Sequence, residues 1–208
     1  MGITIHYRGK IDDIQQVIPL RDELIDIAET MKWPYQVLDD NWEEPVTAKW
    51  ESLGDKQEIT GNLGLKGVDF HPHPDSERAA FYFDKDGNVL DFMNVILIQE
   101  GHFKLGEIGP SIKTQFAPPD IHMAVIKLLK YIKKQYISDL TVVDEGSYWE
   151  TESKDVLVGK LDFLNLKIDQ VGGILNSIPK EKLDGLNTEQ TADLIEKILT
   201  EKLNLRKK

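Results

Sequence analysis

The chain has 208 residues, of which 40% are hydrophobic and 29% are charged, so it can bury a core and is not expected to be disordered overall. It contains no cysteine, which excludes disulfides, thiolate metal sites and a cysteine nucleophile. The 36 Asp and Glu residues outnumber the 25 Lys and Arg residues, and the net charge of −11 argues against nucleic acid as a partner because it repels a phosphate backbone.

The sequence predicts neither a membrane span nor a signal peptide. No apolar run approaches the roughly 18 residues of a membrane span. Residues 1–10, MGITIHYRGK, lack the basic and then apolar pattern of a signal peptide. Together with the lack of cysteine, these features predict a cytoplasmic protein without a membrane partner.

The first forty residues predict a strand, a helix and a second strand. Apolar residues alternate over residues 2–7, which indicates the first strand. Helical spacing follows over residues 10–33, where Pro19 predicts either a kink or a short turn before the main helix. Residues 34–38 predict the second strand, and this order favours a crossover unit without fixing whether the two strands are neighbours.

The middle of the chain predicts a long loop and then a β meander. Residues 42–56 show no period and contain Trp42, Pro45 and Trp50, so we expect a loop held by aromatic side chains. The period of two returns afterwards, and the turn at residues 85–88 is the strongest hairpin signal. The predicted strands of the meander are residues 57–65, 68–71, 78–84, 89–92, 94–99 and 111–116.

A long amphipathic helix followed by a short strand comes next. Pro118, Pro119 and Asp120 suit the first helical turn, because proline pre-sets φ and aspartate faces the positive end of the helix dipole. Apolar residues continue at helical spacing to Tyr136, with lysines over much of the remaining surface. Residues 140–143 predict the strand, and a helix between two strands is the packing unit of an α/β layer.

Two further helices are predicted after residue 151. Apolar residues of the first alternate steps of four and three, which is heptad spacing. They are Leu157, Leu161, Leu164, Ile168, Val171 and Leu175. Pro179 ends this helix and residues 180–186 form a linker. Asn187 and Gln190 have the spacing of a capping box before a final apolar helix and the basic tail at 206–208.

These elements predict an α+β (or α/β) fold. Residues 1–151 are expected to form the core domain, in which a central mixed or antiparallel sheet packs against two helices. Residues 152–208 are expected to form a C-terminal helical hairpin that packs on the domain or dimerises. The helix at 157–175 is therefore the expected surface for self-association or for a protein partner.

Two histidines separated by one residue form the most metal-like cluster. His71 and His73 would point the same way on an extended chain and could share zinc or iron. Asp75, His102 or His122 would supply a third ligand. The alternative is a proline-stiffened loop with solvated histidines, because no recognised metal motif accompanies the pair. The cofactor that this cluster would imply is a divalent metal.

Acidic pairs follow two predicted strands. Asp39 and Asp40 come after one strand, and Asp144 and Glu145 come after another, with Glu150 nearby. Ligands of α/β folds bind at the carboxyl ends of parallel strands, where carboxylates hold Mg²⁺ or act as acid and base. The alternative is that these acids only terminate strands and cap helices, which is common in an acidic protein.

An aromatic pair follows the second of these acidic pairs. Tyr148 and Trp149 could form a surface that stacks on a ligand or binds a partner, because aromatic side chains supply contact area at low entropic cost. The alternative is that they anchor the following helix on the core.

No complete catalytic constellation is present, which favours a non-catalytic protein-interaction or regulatory module. One alternative is a metal-dependent hydrolase that uses His71, His73 and either His102 or His122, with Asp39 or Glu145 as a base. The other alternative is a small-molecule sensor that binds its ligand beside Tyr148 and Trp149.

Overall fold

The computed structural model describes residues 2–53, 56–179 and 187–204. The strands of this part are β1 (Thr4–Arg8), β2 (Tyr35–Asp39), β3 (Lys49–Leu53), β4 (Lys56–Thr60), β5 (Lys66–Phe70), β6 (Ala79–Phe83), β7 (Val89–Leu90), β8 (Ser111–Lys113) and β9 (Thr141–Asp144). The α-helices are α1 (Val17–Met31), α2 (Phe92–Gln99), α3 (Pro119–Gln135), α4 (Tyr148–Thr151), α5 (Lys154–Asn176) and α6 (Thr188–Asn204). Two compact units are present, Met1–Val158 and Gly159–Lys208, and their boundary falls inside α5.

The predicted α+β class is confirmed. Every strand pair of the described residues is antiparallel. The strands form three sheets with the orders β8-β1-β9, β2-β5-β6-β7 and β3-β4. A bridge between Lys10 and Asn88, together with a hydrogen bond of 3.0 Å from Val89 N to Gly9 O, connects the end of β1 to β7. The first two sheets therefore meet at a seam beside β1.

The three-stranded sheet carries α3 between its two outer strands. β8 and β9 lie on either side of β1 and run parallel to each other, so β8, α3 and β9 form a β-α-β unit that β1 splits. Ile5 and Tyr7 are buried on one face of β1, whereas His6 and Arg8 are exposed on the other. One face of this sheet is therefore open.

Stacked aromatic side chains connect the segment after α1, the four-stranded sheet and β1. The ring of Trp33 stacks on Phe70 at 5.3 Å, Phe70 stacks on Phe81 at 5.7 Å, and Phe81 stacks on Tyr7 at 5.4 Å. The Tyr7 hydroxyl donates a hydrogen bond of 2.7 Å to the carbonyl of Ala80. Such pairs contribute about 0.5–1.5 kcal/mol beyond the area that they bury.

Residues 94–99 form part of α2, so the strand predicted there is wrong. Asp91 Oδ1 accepts a hydrogen bond of 2.7 Å from Asn94 N, and Asn94 Oδ1 accepts one of 3.1 Å from Asp91 N. This capping box starts the helix, and Val95 and Ile96 then pack in a buried cluster with residues of the four-stranded sheet. A short apolar run fits a buried helix as well as a strand.

Two other N-terminal expectations differ from the structure. The predicted loop at 42–56 contains β3, which pairs with β4. The crossover unit is also wrong, because β1 and β2 lie in different sheets. The short turn near Pro19 is confirmed, since a 3₁₀ turn at Ile14–Gln16 precedes α1 and Pro19 lies in the first turn of that helix.

The C-terminal unit contains most of α5 and all of α6. The predicted capping box is confirmed: Gln190 N donates to Asn187 Oδ1 at 2.9 Å, and Asn187 N donates to Gln190 Oε1 at 3.1 Å. The predicted linker at 180–186 and the basic tail at 206–208 lie outside the described residues. Among the described helices, none has the length and apolar character needed to cross a membrane.

Candidate functional site

Asp144 is the buried anchor of the turn that follows β9. Its Oδ1 accepts a hydrogen bond of 2.6 Å from Gly146 N, and its Oδ2 accepts one of 2.8 Å from Trp149 N. Both oxygens therefore hold the backbone between the strand and α4 in place. The carboxylate was predicted as a ligand or partner surface, but it faces into the protein, where its side chain is fully buried.

His122 lies beside Asp144 and connects the ends of β8 and β9. Its Nδ1 is 2.7 Å from Thr114 Oγ1, and its Nε2 is 3.0 Å from Asp144 Oδ1. The Nε2–H bond is not aligned with that oxygen, so the contact with Asp144 is electrostatic rather than a well-formed hydrogen bond. A proton on Nε2 faces the carboxylate of Asp144, and the Thr114 hydroxyl forms a hydrogen bond with the other ring nitrogen.

The His122 and Asp144 pair is closed to solvent. Burial alone would raise the pKa of Asp144, but the contact with His122 and the two backbone N–H groups outweigh burial and hold the pKa below its usual value. Gly146 lies against the imidazole, because a Cβ there would be 2.8 Å from His122 Nε2 and 2.7 Å from Leu157 Cδ1. The Thr114 hydroxyl, the His122 imidazole and the Asp144 carboxylate thus contact one another in series, but burial prevents a substrate from reaching them. The geometry favours a structural role.

The remaining residues of the predicted surface differ in their surroundings. Glu145 Oε2 accepts a hydrogen bond of 2.8 Å from Thr4 N, so it holds the start of β1. Tyr148 is buried, which supports the alternative that it anchors the following segment on the core. Trp149 is half-buried, and Lys130 Nζ lies 5.5 Å from its ring centroid. Trp149 is therefore the member of the set whose ring has a cationic neighbour.

The acidic pair after β2 is not part of this site. Asp39 forms an ion pair of 2.6 Å with Lys66, and Asp40 Oδ2 accepts a hydrogen bond of 3.0 Å from Leu63 N. These contacts tie β2 to β5 and to the preceding loop. Because β2 and β9 belong to different sheets, the two acidic pairs do not meet at one edge as parallel strand ends would.

The histidines predicted as metal ligands are engaged separately. His71 Nε2 lies 2.8 Å from Ser76 O, and His73 Nδ1 accepts a hydrogen bond of 3.1 Å from Asp75 N. His102 Nε2 is 3.3 Å from a carboxylate oxygen of Glu100. The fourth histidine is the buried residue of α3 described above. Within the described residues, no group of three or more His, Asp or Glu side chains could hold a metal ion.

The predicted heptad stripe of α5 is divided between buried and exposed residues. Leu157, Leu161 and Leu164 are buried within the chain, so they are not available to a partner. Ile168 and Leu175 remain exposed.

A second apolar pair, Phe163 and Leu166, is exposed on α5 and was missed. The signal that would have found it is a seven-residue repeat of lysines and aspartates around it. Thr114 was also missed, because nothing in its local sequence indicates a contact with a histidine of the following helix. Comparison with family models, with curated proteins and with solved structures finds no match to this chain.

Proposed function

We propose that the chain is a non-catalytic protein-interaction module that associates with a second copy of itself through α5. The observation that carries the proposal is the exposure of Phe163 and Leu166, whose large apolar side chains are 61% and 54% exposed. Single exposed apolar side chains are ordinary, whereas apolar side chains grouped on one helix face are typical of interaction sites.

The non-catalytic part of the proposal is supported by the burial of the most reactive arrangement among the described residues. His122 has a hydroxyl and a carboxylate on its two ring nitrogens, but its side chain is only 1% exposed. General acid or base catalysis requires hydrogen-bond contact with the substrate. Burial therefore favours a role for His122 in holding α3 on β8 and β9.

The residues around the exposed pair follow a heptad repeat of their own. Phe163 occupies position a and Leu166 occupies position d. The flanking e positions are Lys160 and Lys167, and the flanking g positions are Asp162 and Asp169. The apolar pair therefore lies between a row of cations and a row of anions.

This arrangement of charges favours a parallel pair of helices. In a parallel pair, a g residue faces the e residue of the next heptad, so Asp162 would lie opposite Lys167 of the second copy. In an antiparallel pair, g positions face g positions, so Asp162 would lie opposite an aspartate of the second copy. Opposite charges at e and g positions select partner and orientation, so a second copy in parallel orientation is the occupant that fits.

Two glycines, each one heptad from Leu166, leave room for a second helix to come close to α5. Gly159 and Gly173 occupy the d positions on either side of Leu166, and a Cβ at either would meet no atom within 4 Å. A helix can approach closely where glycine has no side chain. In a parallel pair, Gly159 is the d position just before Phe163, so the space beside it would accommodate the two Phe163 rings.

Sedimentation equilibrium over a range of concentrations tests the proposal. We expect the wild type to dimerise, and we expect Leu166→Glu to weaken the dimer by at least about a hundredfold because it places a charge in an apolar interface. The matched control is Asn165→Glu, which adds the same charge to an exposed position of α5 outside the a, d, e and g set.

Orientation is tested with a cysteine and a charge exchange. Because the chain has no cysteine, Gln170→Cys at position a would form a disulfide-linked dimer in a parallel pair, whereas Asn165→Cys would not. Asp162→Lys should weaken the dimer, and the double variant Asp162→Lys, Lys167→Asp should restore it. A wild type that stays monomeric at all concentrations, or a Leu166→Glu variant no weaker than Asn165→Glu, would overturn the proposal.

A further inference from the structure

A groove with cationic side chains follows the open face of the three-stranded sheet. His6 and Arg8 face solvent on β1, and Lys10 continues the same alternation at the bridge to Asn88. Val143 lies opposite His6 on β9 and is 58% exposed. Basic side chains are thus gathered on one strand of a chain whose net charge is −11.

The groove consists of two adjacent cavities at the seam between the sheets. One has a volume of about 250 Å³ and the other of about 170 Å³, and both are lined by Arg8, Ile108 and Thr141. The wall opposite β1 is the segment 106–109, where Gly109 packs so closely that a Cβ would lie 2.3 Å from Tyr7 O. Small-molecule sites are concave and combine apolar walls with a few polar groups.

Two residues that line the groove, Glu107 and Asp139, have carboxylates that each accept a hydrogen bond from a backbone N–H. Glu107 Oε2 accepts a hydrogen bond of 2.9 Å from Lys104 N, and Asp139 Oδ1 accepts one of 2.9 Å from Lys10 N. Arg8 Nη1 donates a hydrogen bond of 3.0 Å to the carbonyl of Glu107. This bond orients the guanidinium without neutralising it, since Arg8 forms no ion pair with any described residue.

We infer that this groove binds a small organic phosphate monoester. A phosphate dianion matches an oriented guanidinium with further basic side chains beside it, and guanidinium groups bind phosphate through two parallel hydrogen bonds. Ile108 and Val143 supply an apolar wall for the organic part of the ligand. The site lies on β1 and β9, and it is independent of the surface proposed on α5.

Isothermal titration calorimetry with phenyl phosphate, inorganic phosphate and benzoate tests the inference on the full chain. We expect phenyl phosphate to bind more tightly than inorganic phosphate, because its ring contacts Ile108 and Val143. We expect Arg8→Gln to weaken phenyl phosphate by at least about tenfold through the loss of a charge-assisted hydrogen bond. The matched control is Lys113→Gln, which removes a cation from β8 outside the groove.

Three results would overturn the inference. The first is no binding of phenyl phosphate to a wild type that a thermal melt shows to be folded. The second is an equal loss of affinity in Arg8→Gln and Lys113→Gln, which would indicate attraction to overall charge. The third is benzoate binding as tightly as phenyl phosphate, which would assign the groove to a carboxylate.

Discussion

Asp144 makes the stability of the protein sensitive to acid. Its pKa is lowered in the folded state, so its stabilising contribution is fully present above the ordinary aspartate pKa of about 3.9 and is lost as the pH falls through the folded pKa. We expect Asp144→Asn to lower the free energy of unfolding at pH 7 by roughly 1–3 kcal/mol, through loss of charge-assisted contacts with Gly146 N, Trp149 N and His122.

Urea unfolding at pH 7 and at several values below pH 4 measures both effects. The difference between wild type and Asp144→Asn should shrink as the pH falls, because protonation removes the same charge from the wild type. Asp120→Asn is the matched control, since Asp120 forms an exposed ion pair of 2.9 Å with Lys154 and such pairs contribute little. A pH-independent difference would show that the loss of packing, rather than of charge, destabilises the variant.

The sequence indicates the residues of this region but not their roles. Acidic and aromatic residues that follow a strand indicate Asp144, Tyr148 and Trp149 as candidates. The interior orientation of Asp144 depends on His122, which lies 22 residues earlier on α3. A contact between two elements depends on how α3 lies across β8 and β9, and one sequence holds no signal for that placement.

At the scale of the element, the capping box of α2 decides between helix and strand. Asp91→Ala removes the acceptor for Asn94 N, and we expect it to lower the free energy of unfolding by about 1 kcal/mol, within roughly 0.5–2 kcal/mol. Asp91→Asn keeps an acceptor oxygen and should be close to the wild type. Guanidinium unfolding monitored by circular dichroism at 222 nm provides the comparison; equal stability of all three proteins would mean that packing of Val95 and Ile96 alone fixes the helix.

Local sequence signals predicted the elements whose ends contain recognisable turn, proline or capping residues. The β6–β7 hairpin followed from the turn at 85–88, α3 followed from its proline entrance, and α6 followed from the Asn187 and Gln190 pair. The wrong predictions concern segments whose secondary structure depends on burial or pairing with other parts of the chain. Residues 94–99 are apolar enough for a buried strand, and β3 exists through its pairing with β4 rather than through a pattern of its own.

At the scale of the whole molecule, charge opposes the self-association that we propose. Two copies that each carry a net charge of −11 repel each other at long range, whereas the pairs of Asp162 with Lys167 act only at contact. Exposed ion pairs contribute about 0–1 kcal/mol, and the burial of Phe163 and Leu166 does not depend on ionic charge. Salt weakens both interactions, so it strengthens the dimer by screening the repulsion and weakens the dimer by screening the ion pairs.

The dimer is expected to tighten as salt rises from 0.01 M to 0.15 M. The Debye length falls from about 30 Å to about 8 Å over this range, which removes most of the repulsion between distant charges but leaves contacts within the helix pair less affected. Sedimentation equilibrium at the two salt concentrations measures the change. Phenyl phosphate binding to the groove beside Arg8 should weaken over the same range, because there the attraction itself is screened. A dimer that weakens with salt would show that the flanking ion pairs, rather than the apolar pair, dominate association.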